Sequence, residues 1–302
     1  MSQFSFRVEH NQGGARVGEV HTPHGPLATP AFMPVGTQAA VKALSPEEVT
    51  AVGVEMLLCN AYHLYLRPGV ETVHRLGGVH RFMGWSGPVL TDSGGFQVFS
   101  MGALRRVDDD GVLFRSHLDG REHFFSPELA TANQARLGAD IIMCLDQCIA
   151  YGAGKEEVRQ AMERTHRWAE SCYRRHSASE TSGSQALFGI VQGGVFEDLR
   201  KESARHITGI PFQGYAIGGL AVGESKVQMY ETTRQVTALL PENRPRYLMG
   251  VGSPEDLVEC VARGVDLFDC VLPTRVARHG SLFTRHGRLD ITKSGVMEQA
   301  GP

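Results

Sequence analysis

The feature that most constrains this chain is a rhythm in which short, almost wholly apolar runs alternate with longer stretches of helical pattern. Eight such runs can be counted, at 31–35, 56–59, 88–91, 140–145, 187–191, 215–217, 246–249 and 265–268. A strand with one wet face alternates apolar and polar residues. These runs do not, so they are expected to be buried on both faces, as in parallel sheets covered by helices. The helix starts are well marked. Ser45-Pro46-Glu47, Ser126-Pro127-Glu128 and Ser253-Pro254-Glu255 each place a hydroxyl acceptor before a proline at the first helical position. Glu48 completes a capping box with Ser45, and Asp256 approximates one with Ser253. Val158, Met162, Thr165, Ala169 and Cys172 recur at helical spacing and predict one face of a long amphipathic helix. Eight strands alternating with helices predict an α/β fold, a (β/α)8 barrel, with a doubly wound open sheet as the alternative. Ahead of the barrel, FSFRVEHNQGGARVGEVHTPHG alternates around a glycine turn and predicts an antiparallel hairpin extension. The nearest thing to a linker is 177–185. Strong pattern continues on both sides of it, so one domain over 1–302 is expected.

Composition then excludes several classes. The chain carries 30 basic and 33 acidic residues, a formal charge of -3, so there is no whole-molecule basic field and any grip on nucleic acid must be local. No apolar run reaches the roughly 20 residues of a membrane helix. The opening MSQFSFRVEHNQGG lacks the basic and apolar regions of a secretory signal. A soluble, cytoplasmic chain is the expectation. The cysteines are Cys59, Cys144, Cys148, Cys172, Cys260 and Cys270; no pair reads as CxxC, and buried reduced thiols are the reading. The histidines form no HExxH pattern, and His63 reads as a packed or capping residue. The glycines around Gly94 and Gly218 fit neither a dinucleotide fingerprint nor a Walker loop.

The chemistry lies in how the apolar runs end. Three finish in Asp, at Asp92, Asp146 and Asp269; others finish at Gln192, at Gly218 and Gly219, and at Gly250 and Gly252. In a barrel these ends share one rim, the face on which active sites are built. A single Asp there is ordinarily a cap or turn former. Three carboxylates beside a carboxamide and paired glycines form a constellation. Two carboxylates on one sugar carbon suit glycosyl transfer by double displacement, one as nucleophile and one as acid and base. A third can accept two hydrogen bonds from a base edge such as that of guanine. Phe96 and Met249 are core-like by type, but on a rim they could sandwich a planar base. Residues 271–289 carry Arg275, Arg278, Arg285 and Arg288 with no acid among them, a local basic patch suited to phosphate. The pairs Arg105-Arg106 and Arg174-Arg175 read as solvated surface.

With these residues in view, ATPAFMPVGTQAAVKAL, NAYHLYLRPG, LTDSGGFQVFS, FGIVQGG, GYAIGGLAVGE, YLMGVGSPEDL and DLFDCVLPTRVARHG resemble the ordered motifs of bacterial tRNA-guanine transglycosylases, over nearly the whole chain. The resemblance implies a modified barrel that exchanges guanine at the anticodon wobble position for 7-aminomethyl-7-deazaguanine, in queuosine biosynthesis. The tRNAs implied are those for Asp, Asn, His and Tyr. By motif match, Asp269 would be the nucleophile and Asp92 the general acid/base. Asp146, Gln192 and Gly219 would read the purine, with Ser93, Gly94, Gly95 and Leu220 beside it and Phe96 and Met249 stacked on it. Gly250, Val251, Gly252, Ser253, Pro254, Glu255 and Asp256, with Thr274, Arg275, Val276, Ala277 and Arg278, would contact RNA. Cys148 and Val222 resemble the bacterial form. The family also implies a homodimer and a Zn2+ subdomain built on a CxCxxC cluster and a later His. That ligand set is absent from this sequence, which reads TKSGVMEQAGP at its end, so no metal is expected in this chain.

Overall fold

A computed structural model describes residues 4–100 and 105–293. The opening segment forms β1 (Ser5–Gln12), β2 (Ala15–Thr22) and β3 (Gly25–Thr29), paired antiparallel in that order. The expected hairpin is present, and a third strand extends it. Next come β4 (Ala31–Gly36), β5 (Leu57–Cys59) and β6 (Val89–Thr91). After the helix Gly95–Ser100 an antiparallel insert follows, β7 (Arg105–Val107), β8 (Val112–Arg115) and β9 (Glu122–Phe125). The remaining core strands are β10 (Ile141–Met143), β11 (Ala186–Val191), β12 (Gly214–Ile217), β13 (Arg246–Leu248) and β14 (Leu267–Cys270). A last hairpin pairs β15 (Ser281–Thr284) with β16 (Gly287–Asp290).

The strands β4, β5, β6, β10, β11, β12, β13 and β14 form a closed barrel, each paired parallel to the next, and β14 returns to β4 to close it. This is the (β/α)8 architecture, and the open-sheet alternative is set aside. The helices between strands include Lys155–Ser177, whose Val158, Met162, Thr165, Ala169 and Cys172 are all buried. Ser45, Ser126 and Ser253 cap their helices as expected. Ser45 and Glu48 form the reciprocal capping box. Asp256 does not; its carboxylate accepts from the Ser253 hydroxyl at 2.6 Å instead. The last strand lies further along the chain than the apolar run implied. Val265 N–H still bonds the Cys260 carbonyl of the preceding helix, so the ladder starts at Leu267 and takes in Asp269.

Side-chain parity sorts the core into two layers. Met33, Leu58, Leu90, Met143, Phe188, Ile190, Ala216, Tyr247 and Leu267 face into the barrel and pack together. Their neighbours Leu57, Cys59, Ile142, Leu187, Val191, Ile217, Leu248 and Phe268 face outward, against the helices. This is the period of two that a strand imposes. Phe4, Val20 and Leu27 join the inner cluster from the N-terminal sheet, so that sheet plugs the end of the barrel where the strands begin. The other end is left for function. No helix of the described residues is long and apolar enough to cross a membrane.

Candidate active site

Parity also decides which side chains reach the open end. Asp92 lies two residues beyond inward-facing Leu90, Gln192 two beyond Ile190, Gly218 two beyond Ala216, Met249 two beyond Tyr247, and Asp269 two beyond Leu267. The residue two positions after the last filled layer becomes the next layer, at the end of the barrel where the strands finish. There the structure encloses a cavity of about 570 Å³. Asp92, Asp146 and Asp269 all line it, together with Ser93, Gly95, Phe96, Gly219, Leu220, Met249, Gly250 and Arg275. Cys148 and Val222 are on its wall as well.

The two key carboxylates have unlike surroundings. Asp92 is held from three sides: Asn60 Nδ2 donates to Oδ2 at 2.6 Å, Gln97 Nε2 to the same oxygen at 3.0 Å, and the Ala61 N–H to Oδ1 at 2.8 Å. Burial pushes its carboxyl up to about 6; these hydrogen bonds pull the other way, and the nearby Asp269 charge adds to the rise. Among the described residues, Asp269 accepts at Oδ1 only, from the Tyr247 hydroxyl at 2.6 Å and the Gly250 N–H at 2.8 Å. Burial raises it above the usual carboxylate range while Tyr247 and Gly250 draw it back. The Tyr247 phenol is pushed well above its ordinary value by burial and by the Asp269 charge, so it stays a donor. Asp269 thus keeps an oxygen with no protein donor on it, and Asp92 can hold a proton near neutral pH.

Asp146 forms the third corner. Gln192 Nε2 donates to its Oδ2 at 2.6 Å. Burial pushes the Asp146 carboxyl up to about 6, and the Asp92 charge contributes. Behind them, Gly219 sits at φ +67°, and a Cβ there would come within 2.4 Å of Gln192 Oε1. Only glycine allows that backbone to lie against the carboxamide. Phe96 is 57% exposed, an apolar ring left open beside the acids, as a stacking face would be. Burial pushes the Cys148 thiol up to about 12, so it is no nucleophile at neutral pH.

Not every expected residue reaches the cavity wall. Gln192 sits behind Asp146 and borders a smaller adjoining cavity of about 200 Å³. Gly94 turns against Tyr62, where a Cβ would meet side-chain and backbone atoms at 3.0–3.1 Å. Val251 and Gly252 are buried, and Ser253, Pro254, Glu255 and Asp256 lead away into the helix Pro254–Val261. Glu255 and Asp256 are taken up by Lys226, at 2.7 and 3.1 Å. On the helix Leu272–Arg278, Arg275, Ala277 and Arg278 are exposed, Thr274 is half-buried and Val276 points inward. Sequence reasoning passed over Asn60, Gln97 and Tyr247. It set His63 aside as a packed residue, yet His63 lines the cavity, its imidazole kept neutral by burial and by the neighbouring His117. Asn60 carried the same signal as the aspartates, a polar residue directly after an apolar run.

A family model described as queuine tRNA-ribosyltransferase matches residues 11–302. The chain belongs to this family. Curated relatives named queuine tRNA-ribosyltransferase include that of Pelotomaculum thermopropionicum, 56% identical over 99% of this chain and 80% of its own length. That of Desulforudis audaxviator is 57% identical over 99% of this chain and 80% of its own. That of Herpetosiphon aurantiacus is 55% identical over 100% of this chain and 76% of its own. The chain thereby stands among pentosyltransferase enzymes. Queuine tRNA-ribosyltransferases bind zinc. Among the described residues, only His24, His80 and Asp140 bring three ligand-type atoms together. Both imidazoles there are already bonded to the Asp140 carboxylate, at 2.8 and 2.9 Å. Asp140 precedes β10, so this cluster lies at the opposite end of the barrel from the cavity. This cluster is not the Cys and His set that the resemblance implies for the family's zinc.

Proposed function

We propose that this chain exchanges guanine at the wobble position of tRNA for 7-aminomethyl-7-deazaguanine, through a covalent aspartyl–ribose intermediate. The carrying observation is the pair Asp92 and Asp269 on one cavity, one carboxyl fully engaged and pushed up to about 6, the other with an oxygen free of protein donors. Asp269 Oδ2 attacks C1′ of the ribose. The glycosidic bond breaks, its electron pair leaves with guanine, and Asp92 supplies the proton. Asp92 then takes a proton from the incoming base, whose ring nitrogen attacks C1′ and releases Asp269. Two inversions give net retention.

The same cavity supplies base recognition. Ionised at neutral pH, Asp146 accepts from the N–H and NH2 edge that guanine and its 7-deaza analogue share. Gln192, behind Asp146, aligns that carboxylate through its Nε2; the Gly219 backbone meets the opposite edge, Ser93 and Leu220 flank it, and Phe96 and Met249 sandwich the ring. Cys148 and Val222 border the space for the small 7-substituent. Arg275 and Arg278, with the backbone of 250–256 and 274–278, meet the phosphates beside the splayed nucleotide. The substrates are the wobble-guanine tRNAs for Asp, Asn, His and Tyr. The direct test is a protein–tRNA adduct resolved on a denaturing gel in the presence of guanine-site substrate RNA. The parent chain should form it and D269A should not. An adduct that persists in D269A would overturn the assignment.

A further inference from the structure

The helix Glu197–Thr208 places a cation directly behind the base pocket. Arg200 is wholly buried. Its Nε donates to the Gly194 carbonyl at 2.7 Å, one terminal nitrogen to the Val191 carbonyl at 2.8 Å, and the other reaches the Gly219 carbonyl at 3.5 Å. Two separate strand ends, those of β11 and β12, are thereby tied to one planar group. Gly193 lets the first of them wrap this closely. It sits at φ +130°, and a Cβ there would come 2.9 Å from the Arg200 backbone nitrogen. Among the described residues no carboxylate lies within ion-pair distance of the guanidinium, and Glu224 acts on it only through space. Burial holds its pKa down to about 10, so it remains charged.

An unpaired buried charge is costly, and an apolar side chain of similar volume would serve stability better. What the arginine does here is specific. Val191 precedes Gln192, Gly194 follows it by two residues, and the Gly219 backbone lies so near that a Cβ there would come within 2.4 Å of its Oε1, so all three acceptors belong to the backbone around the proposed purine-reading groups. Resting on the base-exchange reading, we propose that Arg200 is a positioning residue for base recognition, fixing the Gln192 carboxamide and the Gly219 backbone at the spacing that a bound purine requires. It does not touch the base. It acts through the carbonyls it holds.

The test compares R200K and R200M with the parent chain in guanine exchange, with active sites counted by trapped tRNA adduct. Lysine keeps the charge but not the fork that reaches both strand ends. R200K should raise the guanine KM about tenfold, the scale of a lost charged hydrogen bond. Its kcat per active site and its KM for tRNA should stay within about twofold. R200M should raise the guanine KM further; should it fail to fold, R200K still decides. A purely structural role would lower the fraction of active sites and leave the guanine KM unchanged, and that result would overturn the assignment. No exchange or adduct in the parent chain would instead sink the base-exchange reading on which this one stands.

Discussion

At the scale of single residues, the proposed site sets three buried carboxylates against different partners: Asn60, Gln97 and Ala61 for Asp92, Gln192 for Asp146, and Tyr247 and Gly250 for Asp269. In the proposed mechanism Asp92 must be protonated to assist guanine departure, and burial pushes its carboxyl up to about 6. Adduct formation under single-turnover conditions should therefore fall as pH rises above that value, approaching tenfold per unit, while loss of the Asp269 charge limits it on the acid side. Rapid quench across pH 5 to 8 checks this, and a flat profile would remove Asp92 from the role. Asp146 has a separate signature. Its carboxyl sits near about 6 when folded against 3.8 as the unperturbed value. The folded state thus holds a proton that the unfolded chain has lost, and this favourable contribution disappears as pH rises from about 4 to above 6. D146N, which mimics the protonated form and still accepts from Gln192, should be more stable than the parent near pH 7.5 by about 1–3 kcal/mol. The gap should close by about pH 4, as read by urea unfolding, and guanine recognition should be lost. The aspartates were legible in the sequence because a charged residue directly after an apolar run stands out. Tyr247 was not, because an aromatic inside an apolar strand has the signature of core. Gln97 was not, because its bond to Asp92 depends on how the following helix turns.

At the scale of elements, the barrel strands were legible because burial on both faces leaves a continuous apolar run. The insert β7–β9 and the hairpin β15–β16 were not, since their strands are only three or four residues long and mostly lack a continuous apolar run. The basic stretch 271–289 read as a patch and proves to be a helix followed by that hairpin, leading directly out of β14. Helix Leu272–Arg278 starts just after the Asp269 strand, so Arg275 reaches the cavity wall while Arg278 stays outside. R275A should weaken tRNA binding several-fold and reduce the salt slope of log K by about 0.7, the value for one phosphate contact on single-stranded nucleic acid. Filter binding over a salt series measures both. An unchanged slope would mean that Arg275 meets no phosphate.

At the scale of the whole molecule, a buried cation helps bind the N-terminal sheet to the barrel, beside the apolar contacts of Phe4, Val20 and Leu27 and the His24–Asp140 bond. Arg16 on β2 pairs with the fully buried Asp266 just before β14, and donates to the carbonyls of Glu242 at 2.7 Å and Arg244 at 3.0 Å. Asp266 also accepts from the Arg246 N–H at 2.7 Å, at the start of β13. Burial raises the Asp266 carboxyl despite its cationic partner, so the desolvation of the pair is not fully repaid. Removing one partner is nevertheless worse than keeping both. R16A should cost about 3–5 kcal/mol of stability, checked by chemical unfolding at neutral pH. A loss below about 1 kcal/mol, as for exposed pairs, would show that the sheet is held by its apolar face and the His24–Asp140 bond rather than by Arg16.

The closing strand carries one more implication. Asp269 pairs across the seam with Met33, so the proposed nucleophile lies where the last strand of the cylinder meets the first. During synthesis the earlier seven strands emerge without it, and the ribosome must release residues well past β14 before the ring can shut. On the proposed mechanism, a nascent chain at any earlier stage lacks its nucleophile. On that reading the cell is spared a half-built protein able to attach itself to the very adaptors that translation is using.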